Sequence, residues 1–118
     1  MTTITRFDTN KRLSHAVVHN GTVYLTGQTA SDRSQDVEGQ TREVLAKIDA
    51  LLTKAGSDKS RILFAQVWLK NVESDFAKMN NVWESWTAAD RSPARATVQS
   101  DLAASGLLVE IAVTAAVA

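Results

Sequence analysis

The chain has 118 residues, no cysteine and equal numbers of basic and acidic residues, thirteen of each. The absence of cysteine excludes disulfides, thiolate metal sites and a cysteine nucleophile, and the zero net charge makes nucleic acid and anionic membranes poor candidate partners. The length suits a single domain over 1–118, and because the opening segment is polar and no apolar run reaches the ~20 residues of a membrane span, we expect a cytoplasmic protein.

An asparagine and a glycine separate the first two apolar runs, at Asn20 and Gly21. Both residue types tolerate the positive backbone angles of a two-residue hairpin turn. We therefore predict two antiparallel strands, at about 14–19 and 22–28, joined by this turn.

Helical periodicity begins after a polar loop, at about Asp36. We expect this first helix to end at Gly56, because glycine readily adopts the left-handed conformation that follows a helix. The branched and aromatic run at about 61–70 then predicts a largely covered strand. A second helix follows, capped by Ser74 or Asp75. Its apolar positions at helical spacing form the predicted inward stripe: Phe76, Met79, Val82, Trp83 and Trp86.

The only proline of the chain, Pro93, marks the start of the last part of the predicted sheet. Its ring fixes one backbone angle and removes a hydrogen-bond donor, which suits the residue before a strand. We predict strands at about 94–100 and 107–117, which completes the order ββαβαββ of an α+β fold. Two helices can cover only one face of such a sheet.

The face turned away from the helices is predicted to be apolar. Alternation in the last strand assigns one set of residues to the helix-covered core: Leu107, Val109, Ile111, Val113 and Val117. The opposite, open face receives Leu108, Glu110, Ala112, Thr114 and Ala116. The strand at 61–70 is predicted to add Ile62, Phe64 and Trp68 to that open face, with Leu63, Val67 and Leu69 on the other side. Because this face is too apolar for water, we expect another copy of the chain to cover it.

Arg95 and Glu110 are the leading candidates for chemistry. A carboxylate inside the run GLLVEIAVTAAV is costly to desolvate unless a cation or a hydrogen-bond donor compensates it. If the last two strands pair antiparallel, as their short connection indicates, a register exists that places Arg95 beside Glu110 on the open face. These residues alone leave a structural ion pair and a functional pair equally open.

Other polar residues give weaker signals. His15 and His19 lie four residues apart in a strand without a convergent carboxylate pair, so they make a poor metal site. His15 is either a packing residue or a residue that lines a cleft. Gly27, which follows Thr26, either permits close approach of the backbone to a ligand or marks a β-bulge. Asn80 is either a solvent-facing residue of the second helix or part of a site. The three tryptophans are predicted to pack in the core.

Four segments that follow one another along nearly the whole chain carry a more specific signal. They are NGTVYLTGQ, DFAKMN, SPARATV and LLVEIAVTAAV. Together they resemble the reactive intermediate deaminase family, also called the YjgF-like or RidA-like proteins. The resemblance implies a chorismate-mutase-like fold with two helices on one face of the sheet, and a homotrimer whose sheets face a central core, with three clefts between subunits. It also implies hydrolysis of enamines and imines, such as 2-imino acids, to 2-oxo acids and ammonia without a cofactor or a metal.

The resemblance also assigns roles to individual residues. Arg95 corresponds to the residue that grips the substrate carboxylate, and Glu110 to the residue that positions the attacking water. Thr26 and Gly27 stand where the family has an SGQ segment, and Asn80 matches the asparagine of its second helix. The implied partners are a 2-imino or 2-oxo carboxylate and further copies of the chain, with no nucleic acid and no membrane.

Three substrate-binding positions depart from the family pattern. Thr97 occupies a position that is often cysteine, which argues against a thiol-dependent role. Leu13 and His15 replace the tyrosine and the glutamine of a segment that reads GPYSQ in many deaminating members. The missing phenol leaves two alternatives open. One is a non-catalytic module that holds a small carboxylate and regulates another protein, and the other is an enzyme for ureido, carbamoyl or aromatic amino compounds.

Overall fold

The computed structural model describes residues 3–118, so Met1 and Thr2, at the start of the polar opening segment, lie outside it. The elements follow in this order: β1 Thr5–Phe7, β2 Ala16–His19, β3 Thr22–Leu25, α1 Val37–Lys54, β4 Ile62–Leu69, α2 Val72–Trp86, β5 Ala94–Gln99 and β6 Val109–Ala116. The α+β fold and its predicted elements are confirmed, and β1 is an additional strand. It has only three residues and is mostly exposed, so its sequence carries no alternation to detect.

Within residues 3–118, six strands form one mixed sheet in the order β1-β2-β3-β6-β4-β5. The β2–β3 hairpin turns at Asn20 and Gly21, whose φ angles of 51° and 74° fit the predicted two-residue turn. β6 lies in the centre of the sheet and pairs antiparallel with β3 and β4. β5 is an edge strand that pairs parallel with β4, and α2 forms the crossover between them.

The predicted pairing of the last two strands is wrong. β4 lies between them, so that Arg95 of β5 is opposite Ala65, and Glu110 of β6 is opposite Trp68. Strands that follow one another in the chain often pair. Here the chain first completes a parallel β4–α2–β5 unit. The loop at 100–108 then crosses over β4, so that β6 lies on the other side of β4 from β5. The length of that loop does not reveal the crossing.

Both helices pack on one face of the sheet, and their ends follow local rules. The Asp36 side chain caps α1 by accepting a hydrogen bond from the Gly39 N–H at 2.9 Å, and Gly56 follows the helix with φ 85°, as predicted. α2 begins at Val72 after Asn71, a few residues before the predicted cap. Within residues 3–118, neither helix is long and apolar enough to cross a bilayer.

The predicted stripe of α2 is confirmed only in part. Met79, Val82 and Trp83 are buried in the core, and Trp86 packs against it. Phe76 is 41% exposed instead. It lies at the edge of the sheet beside β5, where its ring contacts Arg95 rather than the core.

A register shift between Ile62 and Phe64 changes the predicted faces of β4. Ile62 belongs to the core and is only 5% exposed, whereas Leu63, which was predicted to face the core, is 54% exposed. A β-bulge inserts one residue and so reverses the alternation on one side of it. Strict period-two analysis therefore assigns these two residues to the wrong faces.

Two polar side chains of α1 anchor the loops around it. Gln40 is fully buried, donates to the Gln35 and Gly106 carbonyl oxygens at 3.1 and 2.9 Å, and accepts from the Leu108 N–H at 2.9 Å. Every polar atom of this amide thus has a partner, as burial requires. Gln40 thereby ties the loop before β6 to the helix layer, a role that the sequence did not reveal.

Glu43 performs the same task for the loop after β3. Its carboxylate accepts hydrogen bonds from the Ser31 N–H at 2.6 Å, the Asp32 N–H at 3.3 Å and the Gln35 side chain at 2.9 Å, and it pairs with Lys47 at 3.3 Å. The Ser31 hydrogen bond contributes most to lowering the pKa of Glu43 to about 2. The carboxylate form is therefore the one that holds the loop.

Replacing Glu43 with glutamine should lower the melting temperature at neutral pH, because the anionic acceptor for two backbone N–H groups is lost. A depressed pKa adds stability above the ordinary value of 4.5, and that stability disappears as the pH falls from there towards the native pKa. The difference in Tm between the parent and Glu43→Gln should therefore close between about pH 4.5 and pH 2. Thermal unfolding followed by circular dichroism measures it, and a difference independent of pH would contradict this account.

Candidate functional site

Arg95 lies half-buried on the helix-covered side of β5, against α2. Its guanidinium Nη1 donates to Asn80 Oδ1 at 2.8 Å, and its Cζ atom lies 5.2 Å from the ring centre of Trp83 and 5.9 Å from that of Phe76. Aromatic faces attract a guanidinium and restrict its orientation. Partial burial lowers the pKa of Arg95 while Glu84 opposes the change, but an arginine remains charged. The result is a cation held in one orientation.

Most of the donor capacity of Arg95 is unused within the chain. A guanidinium has five N–H donors. Across residues 3–118, Arg95 makes one hydrogen bond to an oxygen and takes part in no ion pair. Thr97, two residues further on the same strand face, has a buried hydroxyl without a hydrogen-bond partner in that part of the chain, which is uncommon in native proteins. Arg95 can therefore donate to a further acceptor, such as a carboxylate, and the Thr97 hydroxyl beside it also lacks a partner among the described residues.

A groove of about 470 Å³ opens beside Arg95, between α2 and the segment that leads into β5. Pro93 stands directly before β5, as predicted. The groove is lined by Asn80, Trp83, Glu84, Thr87, Ser92, Pro93 and Arg95. Its volume lies within the range of small-molecule sites in proteins.

Glu110 lies half-buried on the open face of the sheet, near the start of β6. A Cβ atom at Gly27 would overlap the Glu110 carboxylate, so the glycine makes room for this side chain rather than for backbone approach to a ligand. Burial raises the pKa of Glu110, and no ion pair within residues 3–118 includes it. A carboxylate whose pKa is raised is suited to accept and return a proton.

Replacing Gly27 with alanine should displace the Glu110 carboxylate while the fold is kept. The new methyl group meets the end of a flexible side chain, which can swing into solvent at little cost. We expect the pKa of Glu110 to fall towards its ordinary value of 4.5, because the displaced carboxylate is better hydrated. Carboxyl titration by NMR measures this shift, with Tm as the check on folding. An unchanged pKa would show that Gly27 does not fix the position of Glu110.

The remaining predicted site residues join these two groups. The Thr26 N–H donates to the His15 carbonyl oxygen at 3.0 Å. Since the neighbouring Ala16 faces the core, alternation turns the side chains of His15 and Thr26 to the open face, where Glu110 lies. Leu13 precedes them and is 41% exposed. The structure thus places His15, Thr26 and Gly27 on the side of Glu110, and Asn80 and Thr97 on the side of Arg95.

The two groups do not meet within one chain. Arg95 contacts α2 on the helix-covered face, whereas Glu110 lies on the open face, and β4 separates their strands. Two strand spacings amount to roughly 10 Å. The predicted placement of Arg95 beside Glu110 on one face of the chain is therefore wrong, because it depended on the direct pairing of β5 and β6.

The sequence did not reveal the residues that orient Arg95. Trp83 and Phe76 were assigned to core packing, but both rings lie against the guanidinium. A signal for this arrangement exists, since Phe76, Asn80, Trp83 and Glu84 follow one another at spacings of three, four or one residues along one side of α2. That signal becomes useful only once β5 is known to run beside this helix.

Comparison with known proteins places the chain in a family. A crystal structure of a YjgF family member from Neisseria meningitidis has a TM-score of 0.95 and 41% identity, covering 98% of this chain and 96% of that one. A family model described as Endoribonuclease L-PSP matches residues 3–117. This chain belongs to the YjgF/RidA family. The predicted family resemblance is thereby confirmed.

Curated relatives of this YjgF/RidA protein carry the RutC name. The RutC family protein of Haemophilus ducreyi is 43% identical over 114 residues, which cover 97% of each chain. The RutC family protein YoaB of Escherichia coli is 44% identical over 115 residues, which cover 98% of this chain and 99% of that protein. Each of these relatives is therefore similar to this chain over nearly its whole length.

Proposed function

We propose that this YjgF/RidA protein hydrolyses reactive imines and enamines of carboxylic acids, such as 2-imino acids, to 2-oxo acids and ammonia. The observation that carries the proposal is the state of Arg95. Its guanidinium is fixed by Asn80 and by two aromatic rings, yet most of its donors are free. A guanidinium of this kind binds a carboxylate through two parallel hydrogen bonds.

In the proposed reaction, Arg95 holds the substrate carboxylate, and the Thr97 hydroxyl can donate to the same group. Glu110 accepts a proton from water as the water oxygen bonds to the carbon of the C=N group. It returns this proton to the nitrogen, which gives a carbinolamine. Glu110 then moves the proton of the new hydroxyl group to the nitrogen as well, so that the carbonyl of the 2-oxo acid forms, the C–N bond breaks and ammonia leaves. General acid–base catalysis of this kind contributes roughly 100- to 10,000-fold.

The proposal requires Arg95 of one copy and Glu110 of another, because one chain keeps them on opposite faces of its sheet. The open face supports such an assembly, since it exposes large apolar side chains to an unusual degree. Tyr24 is 50% exposed, Leu63 54%, Phe64 41% and Val98 45%. We propose that copies of the chain cover this face in a closed homotrimer, with the substrate bound in the three clefts between neighbours.

Replacing Leu63 with glutamate should dissociate the oligomer, since a charge buried between apolar faces costs several kcal/mol. Light scattering should give the mass of three chains for the parent and a lower mass for the variant. Thr53→Glu adds the same charge at an exposed position of α1 and should leave the mass unchanged. A parent of monomer mass, or a trimeric Leu63→Glu, would refute the proposed assembly.

The enzymatic proposal is tested by generating imines in the assay with an amino-acid oxidase or dehydratase. We expect the parent protein to speed imine loss and ammonia release above the rate of the uncatalysed reaction. The rival function is that of a module that only binds a small carboxylate. That rival predicts thermal stabilisation by 2-oxo acids without any faster turnover, and such a result would overturn the proposed reaction.

A further inference from the structure

The groove beside Arg95 is lined by two side chains of opposite charge. Glu84 and Arg95 both line it, and Asn80, which binds Arg95, precedes Glu84 by four residues, about one helical turn. Glu84 acts electrostatically on Arg95, but no ion pair of residues 3–118 joins the two. Both charges are therefore available to a ligand.

The part of the groove lined by Glu84 is negative for two reasons. The carboxylate of Glu84 has no ion-pair partner in the described part of the chain. Thr87, at the C-terminal cap of α2, also lines the groove, and the last turn of this helix carries no basic side chain. The partial negative charge of the helix end is therefore not offset by a basic side chain of its own last turn, and Lys59 lies over the ring of Trp86 rather than in the groove lining. The next basic residue along the chain, Arg91, is outside the lining and acts on Asp58.

A ligand that matches this groove carries a carboxylate for Arg95 and a positive charge about one helical turn, roughly 5 Å, further along. The imine nitrogen of a 2-imino acid cannot supply that charge, because it is bonded to the carbon next to the carboxylate. The cation must therefore stand on the side chain. The aliphatic part of such a side chain can pack on the indole of Trp83, which lines the same groove.

We infer that this site prefers 2-imino and 2-oxo acids whose side chain ends in an ammonium or guanidinium group, with Glu84 as the residue that recognises the cation. The inference rests on the proposed function for the identity of the reacting group. It adds a substrate class to that function and a specificity role for a residue outside the Arg95 and Glu110 pair. The reaction that supplies the substrate is then a two-electron oxidation of the α-amine of a basic amino acid by an oxidase or dehydrogenase.

The test compares imines generated from arginine, citrulline and glutamate. Arginine and citrulline have side chains of nearly the same shape, and the three compounds differ in terminal charge. For the parent, KM should be lowest with the arginine imine. Glu84→Gln should raise the ratio of the arginine KM to the citrulline KM by about 2- to 5-fold, as expected for one exposed ion pair. Glu84→Lys should shift the preference to the glutamate imine. The control Glu73→Gln removes a charge from the first turn of α2, outside the groove, and should alter none of these values.

Failure of the inference and failure of the proposed function are distinguishable. A parent that hydrolyses all three imines, with kinetics insensitive to Glu84→Gln, would overturn the inference and leave the function standing. A parent that hydrolyses none would overturn the function. In that case calorimetry with the 2-oxo acids of arginine and citrulline still tests the groove. Tighter binding of the basic compound, lost in Glu84→Gln, would support the role of Glu84, and equal binding would refute it.

Discussion

Replacing Arg95 with alanine will lower kcat/KM for imine hydrolysis by at least about 100-fold, because two hydrogen bonds to a charged carboxylate are lost at about 1.5–3 kcal/mol each. The oligomer should survive, since this side chain lies against α2 and not on the open apolar face. Steady-state kinetics on freshly generated imines, with light scattering on the same sample, measure both effects.

Two further variants sharpen this prediction. Arg95→Lys keeps the charge but loses the planar fork, so its activity should fall between those of the parent and Arg95→Ala. Arg91→Ala removes an exposed arginine outside the groove and should behave as the parent does. An Arg95→Ala protein that hydrolyses imines as fast as the parent would show that carboxylate binding occurs elsewhere.

Replacing Glu110 with glutamine will lower kcat by roughly 100- to 10,000-fold, the range for loss of a general acid–base group, while KM changes little. Burial raises the pKa of Glu110 above its ordinary 4.5. The pKa of Glu110 stays raised in the complex, because the bound substrate carboxylate neutralises the positive charge of Arg95. The parent kcat should therefore decline as the pH falls through this raised pKa. A full kcat in Glu110→Gln, or a kcat of the parent that does not decline on acidification, would exclude Glu110 as the base.

The raised pKa of Glu110 also predicts that this carboxylate, which contributes to activity, lowers the stability of the fold at neutral pH. A carboxyl group whose pKa is raised by folding contributes stability below its ordinary pKa, and that stability is lost as the pH rises through the native value. At neutral pH the half-buried carboxylate therefore destabilises the chain. Glu110→Gln should raise Tm there while it abolishes activity. This combination separates a functional carboxylate from a structural one, because removing a structural group lowers stability.

The local parts of the fold were predictable because each depends on the chemistry of a few neighbouring residues. The turn at Asn20 and Gly21, the end of α1 at Gly56 and the start of β5 after Pro93 all follow from backbone angles that these residues favour or impose. Helical and strand periodicity likewise placed most of the core on the correct faces. In these places the sequence needs no knowledge of distant contacts.

The order of the strands was not predictable in the same way. Inserting β6 between β3 and β4 depends on long-range pairing, and the sequence of the 100–108 loop does not encode which strand it crosses. The bulge before Phe64 is similarly invisible, since one unpaired residue leaves no distinctive composition. Both errors concern non-local geometry, and the first one also misplaced Arg95 relative to Glu110.

The candidate site was predictable from the family resemblance rather than from physical analysis of single residues. A desolvated carboxylate at Glu110 is notable on its own, but Asn80 and Thr97 have no distinctive local pattern. The structure adds what neither approach supplied. It shows that Trp83 and Phe76 orient Arg95 and that the two groups of site residues lie on opposite faces of one sheet.

The most direct test of this account is complementation between two inactive variants. Arg95→Ala and Glu110→Gln chains, unfolded together in equal amounts and refolded, will form mixed oligomers. If each cleft takes Arg95 from one copy and Glu110 from its neighbour, roughly a quarter of the clefts regain both residues by chance, and the mixture should recover roughly that fraction of the parent activity. A mixture no more active than the two variants refolded separately would contradict the claim that the site is shared between copies.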